Sequence, residues 1–266
     1  MKKIFFPVTA FFITTACFAQ QKEGKVVYER TIHMQIEIND NDQMAHNMPQ
    51  IHTDKFELLF GNNQTLWHIS DEETPEVDNG GGGGIQIRMI GGGTDDISFY
   101  DLNRGISTEQ RDMFEKKFIV GDSIRKLNWK LTGETKTILN HSCQKAIAQR
   151  IGSRVMMNMD NGKMERKEVA DTSTIIAWFT PEIPVATGPA DYQGQLPGLI
   201  LEADINNGRQ IFKAIEISPK ADIAAIKEPK NGKKVTPDEF RKETQKMMEE
   251  MQRNNQGGGR VIRINN

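Results

Sequence analysis

The chain has 266 residues, of which 26% are charged, and a formal net charge of −2 at pH 7. Such a slightly acidic balance excludes nucleic acid as an expected partner, because binding phosphates requires a basic face. The two cysteines, Cys17 and Cys143, also exclude a fold held together by several disulfides, so stability must come from packing.

The N-terminus predicts export. Lys2 and Lys3 form a positive head, and the apolar run "IFFPVTAFFITTACFA" that follows ends in small residues, as in a secretory signal peptide covering residues 1–19. The run is shorter than the roughly 20 residues that span a membrane, and no later stretch approaches that length. We therefore expect no transmembrane segment in the mature chain and a periplasmic or outer-membrane-associated location.

Cleavage after Ala19 would remove Cys17 and leave Cys143 alone, so that no internal disulfide could form. Loss of Lys2 and Lys3 would take the net charge from −2 to −4. An alternative is a loose lipoprotein box at residues 15–17 with a lipid on Cys17, although Thr14 stands where such boxes usually carry leucine.

Hydrophobic alternation predicts a mainly β domain over residues 20–235. From Lys25 to Ile38 apolar and polar residues alternate with a period of two, which is typical of a half-buried strand. One side carries Val26, Tyr28, Ile32, Met34, Ile36 and Ile38. Further short strands are expected at residues 54–60, 64–69, 97–102, 122–131, 143–151, 162–170 and 173–179. This pattern favours a single curved antiparallel sheet or half-barrel of many short strands with one C-terminal α-helix.

Two hairpins are predicted by Asn-Gly pairs, which favour the type I′ turn because both central residues need positive φ. Asn161-Gly162 lies between "RVMMNM" and "KMERKEVA", and Asn207-Gly208 lies within Leu199–Ile217. We expect a β-hairpin at each pair.

A helix is predicted over residues 236–256. Thr236 can cap it, Pro237 suits its first position, and Glu239 can complete a capping box. Phe240, Met247 or Met248, and Met251 recur near helical spacing. This apolar stripe is narrow, which favours packing on an edge or end of the sheet.

Glycine tracts flank two short strand-like pieces, residues 85–90 and 260–264. The tract at residues 79–84 lacks the following Lys-Ser or Lys-Thr of a phosphate loop, so we interpret it as a linker or loop tip. Residues 257–266 form a glycine-rich tail with a short strand.

Methionine and histidine residues raise the question of copper. Met44, His46 and Met48, followed by His52, combine thioether and imidazole groups that suit copper(I). A second group comprises Met156, Met157, Met159 and Met164. Methionine is also a flexible core filler, and spacing alone cannot show that ligands converge. Copper binding through Met44, His46 and Met48 is therefore the alternative function, and no cofactor is expected otherwise.

His141 and Cys143 could face the same side of a strand, as residues two apart do. A nucleophile and base also need an orienting group and oxyanion donors. Because a lone cysteine is more often a small buried hydrophobic residue, we expect no catalytic residues.

Prolines and glycines dominate the stretch from Phe179 to Ile205. Pro181 and Pro184 should keep the chain extended, Gly188-Pro189 should turn it, and Pro197-Gly198 suits the centre of a type II turn with positive φ at Gly198. The three aliphatic residues from 199 to 201 predict a strand covered on both faces. Geometry accounts for each of these residues without a ligand.

The runs "WKLTGETKTILNHSCQKAIA", "IIAWFTPEIPVATGP" and "LPGLILEADI" resemble the GLPGLI family of secreted Bacteroidetes proteins, over roughly Gly24 to Ile217. In place of the family's first glycine stands Gln195, with Gly194 one position earlier. The resemblance places these residues at signature positions, with a structural role: Trp129, Cys143, Lys145, Trp178, Pro181, Ile183, Pro184, Gly188, Pro189, Leu196, Pro197, Gly198, Leu199 and Ile200.

The family has no established activity, so the resemblance implies no catalytic residue. We therefore expect an exported, non-catalytic envelope protein. Its partner would be a lipid or other apolar ligand, or an outer-membrane protein. The curved sheet, by analogy with open half-barrels of lipoprotein carriers, would supply a groove.

Overall fold

The structure, a computed structural model, describes residues 21–33, 51–70, 96–113, 116–160 and 163–256. For residues 153–168, 248 and 251–256 it describes the backbone and not the side chains. The predicted signal peptide with Cys17, the Met44, His46 and Met48 stretch, the glycine tract at 79–84 and the tail at 257–266 lie outside the described residues.

The described residues form one sheet of twelve strands that does not close into a barrel, as the alternation predicts, and a single α-helix at their C-terminal end. The strand order is β12-β6-β5-β4-β3-β2-β1-β11-β10-β9-β8-β7. All neighbours are antiparallel except β12 and β6. The elements are β1 Gly24–His33, β2 Ile51–Gly61, β3 Gln64–Ile69, β4 Ile97–Asp101, β5 Ile106–Met113, β6 Lys116–Ser123, β7 Lys130–Ile138, β8 His141–Asp160, β9 Lys163–Thr180, β10 Leu199–Ile205, β11 Gln210–Ser218, a 3₁₀ helix Ile223–Ala225, β12 Lys233–Val235 and α1 Pro237–Gln256.

The first strand lies near the middle of the sheet. β1 pairs with β2, which follows it in the chain, and with β11, which lies far along the chain. Its predicted alternation is confirmed within the described range, because Val26, Tyr28 and Arg30 are buried on the side that faces the core. The predicted continuation to Ile38 lies outside the described residues.

The connection between β6 and β7 requires the sheet to curve. These strands are ten strand spacings apart in the order, so in a flat sheet they would lie about 48 Å apart at about 4.8 Å per spacing. Residues 124–129 alone join Ser123 to Lys130, and a fully extended chain of that length spans at most about 25 Å. The two arms of the sheet must therefore bend toward each other, which creates the concave side of a half-barrel.

The main hydrophobic core lies on this concave side. Trp67 stacks on Phe56 at 4.9 Å between ring centroids and meets Tyr28 and Phe212 at an angle. Small residues from the other arm, Ala146, Ala177 and Ala203 among them, complete the cluster. Large aromatic side chains on one arm of the sheet thus pack in one cluster with alanine residues of the other arm.

The helix covers one end of the sheet, as its narrow stripe predicts. The side-chain oxygen of Thr236 accepts from the Glu239 amide at 3.3 Å, and the Thr236 amide donates to the Glu239 carboxylate at 2.8 Å, which confirms the capping box. Phe240 and Met247 pack on a small cluster of Phe118, Val120 and Val235 from the edge strands β6 and β12. No helix in the described part of the chain is long and apolar enough to cross a membrane.

The predicted hairpins form, but two strand predictions are wrong. The separate short strands expected at residues 162–170 and 173–179 are one continuous strand, β9. Asn207 and Gly208 have φ values of 53° and 87°, as a type I′ turn requires. Asp160 pairs with Lys163 across the two residues 161–162, which themselves lie outside the described part. The strand predicted over residues 122–131 is interrupted, because residues 124–129 leave the sheet to connect its two arms.

Candidate functional site

The family-like signature lies mainly in residues 181–198, which we call the signature loop. The loop leaves β9, crosses the concave side and returns as β10. Within the loop, Asp191 Oδ2 lies 2.5 Å from Nη1 of Arg150 on β8. Near the other arm, Gln193 Oε1 accepts from the Thr65 hydroxyl on β3 at 3.2 Å. The loop therefore spans the interior of the curved sheet.

Aliphatic side chains anchor the loop. Ile183, Val185, Tyr192 and Leu196 are buried and belong to the main core cluster. Pro181 and Pro184 are exposed. Beside them the Val185 amide donates a hydrogen bond to Ile183 O at 2.8 Å, and the Thr187 amide donates one to Val185 O at 2.7 Å. Pro181 lies in a turn with Glu182, so the prediction that it keeps the chain extended is wrong, whereas no turn is assigned at Pro184. Ile183 and Val185, on either side of Pro184, fill the core.

The strand that follows the loop is covered on both faces, as predicted. Leu199, Ile200 and Leu201 are each 0% exposed. Burying an aliphatic side chain of this size contributes roughly 1.5–3 kcal/mol. The Leu199 amide donates to Ile183 O at 3.0 Å. The Tyr28 hydroxyl donates to Ile200 O at 2.6 Å, and burial raises the pKa of that hydroxyl far above its usual range.

Two signature glycines are required by close approach. A Cβ on Gly188 would lie 2.8 Å from Cδ1 of Ile200, and a Cβ on Gly198 would lie 2.8 Å from the carbonyl carbon of Thr180. The predicted type II turn at Pro197-Gly198 is wrong, because Gly198 does not have positive φ. Instead its amide donates to Leu196 O at 2.9 Å in a tighter turn, and the backbone of Thr180 leaves no room for a side chain.

A buried glutamine holds the middle of the loop. Gln193 is 0% exposed, and its Oε1 accepts from the hydroxyls of Thr65 and Thr187. Its Nε2 donates to the carbonyls of Gly188 and Ala190. Both ends of the amide are therefore satisfied, which a buried polar group needs to avoid a cost of about 1–3 kcal/mol.

Gln195 ties the loop to the connection between the arms. Gln195 Oε1 accepts from the Leu127 amide at 3.0 Å and from Trp129 Nε1 at 3.2 Å, and its Nε2 donates to Arg125 O at 2.8 Å. Lys126 Nζ donates to Gly194 O. This departure from the signature therefore supplies contacts that a glycine could not make.

On the opposite face of the sheet, Trp178 lies among charged residues. Lys136 Nζ is 4.4 Å and Lys145 Nζ is 5.8 Å from the centroid of its ring. Lys136 is 2.7 Å from Glu202, and Lys145 is 3.0 Å from Glu134. The hydrogen bond from Lys145 lowers the pKa of Glu134 below its usual value. Each of these charged residues has a partner, so the cluster is a set of cross-strand ion pairs on the surface of the sheet.

His141 and Cys143 do not form a catalytic pair. His141 Nδ1 lies 2.7 Å from a carboxylate oxygen of Glu182, whose other oxygen accepts from the Ser142 amide at 3.0 Å. The Cys143 thiol is buried and donates to the carbonyl of His141 at 3.5 Å. Burial raises the pKa of the Cys143 thiol to about 11, so a nucleophilic thiolate is disfavoured.

Metal ligands do not converge in the described residues, among which no group of three His, Cys, Asp or Glu side chains could hold an ion. His52 Nε2 lies 2.7 Å from Asp54, which also pairs with the buried Arg30. The side chains of Met156, Met157, Met159 and Met164 lie outside the description, but the register opposes Met159 to Met164. Nothing described supports a copper site at Met44, His46 and Met48.

Most signature positions come together around one loop, whose polar partners were not predicted, while Lys145 and Trp178 lie on the opposite face of the sheet. Trp129, Ile183, Gly188, Leu196, Gly198 and Leu199 all contact or border the loop and its exit strand. The sequence did not predict the roles of Gln193 and Thr65, because nothing in the local sequence indicates that these polar residues are fully buried. The departure at Gln195 was visible as a missing glycine and could have indicated a side-chain role.

A family model described as "Protein of unknown function (Porph_ging)" matches residues 129–202, which include the signature loop, all of β9 and the first four residues of β10. No curated protein matches the chain. Among solved structures, two crystal structures of PNGF-II, in space groups C2 and P21, are similar to this chain, with TM-scores of 0.51 and 0.49 and 16% sequence identity. The match covers 83% of this chain and 32% of PNGF-II. At this identity the first of these similarities shows a shared fold only and carries no information about activity.

Proposed function

We propose that the protein is an exported, non-catalytic component of the cell envelope that binds an outer-membrane protein. The observation that carries the proposal is the placement of the signature. Its aliphatic residues lie inside the core, its glycines permit close backbone approach, and its glutamines are used in internal hydrogen bonds. Residues used in this way stabilise the fold of the loop and are not available to react with a substrate.

The same placement supports assignment to the GLPGLI family. The stretch from Leu196 to Ile205 and the proline-rich approach before it form one structural unit with Trp129, and the family model of unknown function covers that unit as far as Glu202. A family defined by such a unit would preserve a scaffold and vary its surface.

A protein partner is favoured over an apolar ligand. A lipid held by a half-barrel would occupy the concave side, but Ile183, Val185, Tyr192 and Leu196 of the signature loop already lie there. Large apolar side chains do lie exposed elsewhere: Leu131 is 55% and Ile151 is 85% exposed. These residues offer contacts to a partner outside the half-barrel.

Cross-linking in the native host tests the proposal. A photo-reactive amino acid at Ile151 should give a discrete adduct with a protein of the outer-membrane fraction. Gly152 is its matched control, because it is the next residue, lies on the opposite face of the same strand and has open space around its Cα. No adduct at Ile151, or equal adducts at both positions, would contradict the proposal, as would native mass spectrometry that finds a bound lipid and no protein.

A further inference from the structure

The β8–β9 hairpin extends beyond the rest of the sheet as a two-stranded ribbon. β7 pairs with β8 only as far as Ile147, and β10 pairs with β9 only as far as Ile175. Beyond these points β8 and β9 pair with each other, from Gln149 opposite Thr174 to Asp160 opposite Lys163. At about 3.4 Å per residue the ribbon is about 37 Å long.

A ribbon of this kind needs a further strand. A two-stranded hairpin alone is marginally stable in water, and three or more strands are needed for independent stability. Within the part of the chain that the structure describes, no strand pairs with the outer edge of β8 between Ala148 and Asp160. That edge presents a row of backbone donors and acceptors that can accept another strand.

We propose that the free edge of β8 pairs antiparallel with the same edge of a second copy of this chain. The pairing would be isologous, as two-fold dimer interfaces are, and would join two ribbons into a four-stranded sheet. It uses β8 because β9 is protected: of the six residues from Lys163 to Glu168, all but Met164 are charged, and charged residues are a common means of blocking an edge.

One register satisfies the sequence of β8. If Met157 lies on the two-fold axis, Val155 is opposite Met159 of the second copy and Arg154 is opposite Asp160 of the second copy. Val155 and Met159 then form an apolar pair and Arg154 and Asp160 an opposite-charge pair, each twice by symmetry, while Met156 faces Asn158. Arg150 stays outside this register, free to keep its ion pair with Asp191. A register centred on Val155 would oppose Asp160 to Arg150 and Met159 to Ile151, but it would also oppose Arg154 to Met156 and Ser153 to Met157 and would require Arg150, which already pairs with Asp191.

The inference does not rest on the proposed function, since it concerns the purified chain alone. Residues 20–266 carrying Met157→Cys should form a disulfide-linked dimer under mild oxidation. The matched control is Arg166→Cys, because Arg166 lies directly opposite Met157 in the same hairpin but on the outer strand. In the proposed sheet the two copies of Arg166 are three strand spacings apart, about 14 Å, too far for a disulfide.

Charge reversal provides the second measurement, made by light scattering. The unmodified chain should be a dimer at micromolar concentration. Arg154→Glu or Asp160→Lys should each weaken dimerisation by about tenfold or more, because like charges then face each other twice. The double variant should restore it. A monomeric unmodified chain, equal cross-linking at positions 157 and 166, or a double variant that stays as weak as the single ones would overturn the inference.

Discussion

At the scale of single residues, Gly188 and Gly198 are required because a side chain would not fit there, and not because the backbone has a positive φ. Gly198→Ala places a methyl group against the Thr180 backbone, which cannot move without disturbing the pairing of β9 with β10. We expect a loss of about 1–3 kcal/mol in the free energy of unfolding, the usual cost of overpacking a rigid site. Urea denaturation monitored by tryptophan fluorescence measures it.

Gly152→Ala is the control for that experiment. Gly152 also lies in a strand, but nothing is within 4 Å of a Cβ built on it. An alanine there should leave stability unchanged or raise it by up to about 1 kcal/mol, because glycine is unfavourable in strand interiors. Equal losses at positions 198 and 152 would show that the space beside Thr180 is not the reason for the glycine.

The buried thiol of Cys143 makes a second residue-scale prediction. Its pKa of about 11 lies above the ordinary value of 9.0, so the folded state keeps the proton that the unfolded state releases. The thiol should resist iodoacetamide in the folded protein and react fully in denaturant. Its contribution to stability should hold below pH 9 and be lost as the pH rises above that value. Rapid alkylation of the native protein would contradict the buried placement and reopen a chemical role for Cys143.

At the scale of elements, Gln195 joins the signature loop to the connection between β6 and β7. Gln195→Gly removes the acceptor for Leu127 and Trp129 and a donor to Arg125. The indole N–H of Trp129 should then exchange with solvent markedly faster, as followed by NMR, while the indole of Trp67 in the core should not change. Unaltered exchange at Trp129 would show that the connection does not depend on this side chain.

Local signals predicted most elements and missed those set by distant contacts. The Asn207-Gly208 turn, the Thr236 cap and the burial of residues 199–201 follow from short-range chemistry and are confirmed. Residues 124–129 have the alternation of a strand but cross between the two arms, a role that only the tertiary fold determines. The turn at Gly198 was mispredicted for the same reason, since the Thr180 backbone and not the local sequence sets its geometry.

At the scale of the whole molecule, the fold depends on pairing between distant parts of the chain. β1 must pair with β11 before the two arms can face each other. The sequence pattern of neither strand predicts that the other is its partner. The curvature follows from one short connection and the strand order together. The candidate site could therefore be predicted as a set of signature residues but not as a loop lining a concave core.

Acid should destabilise the whole molecule. Asp101, Glu134, Glu182 and Glu239 each have a pKa below the ordinary value, chiefly because a hydrogen bond holds the carboxylate. A depressed folded-state pKa contributes stability that is present above the ordinary value, 4.5 for glutamate, and is lost as the pH falls through the folded value. The urea midpoint should therefore fall steadily below pH 4.5, and a midpoint that rises there would contradict these hydrogen bonds.

Hydrogen exchange at the amides of Leu199 and Ile200 tests the central claim that the signature loop is a fixed part of the core. These amides donate to Ile183 O at 3.0 Å and Thr187 O at 2.9 Å, both within the loop. We predict that they exchange only on global unfolding, as slowly as the amides of β10 and β11 that pair with each other. Exchange through a much cheaper local opening would show that the loop is a movable lid over a binding cavity and would contradict the account.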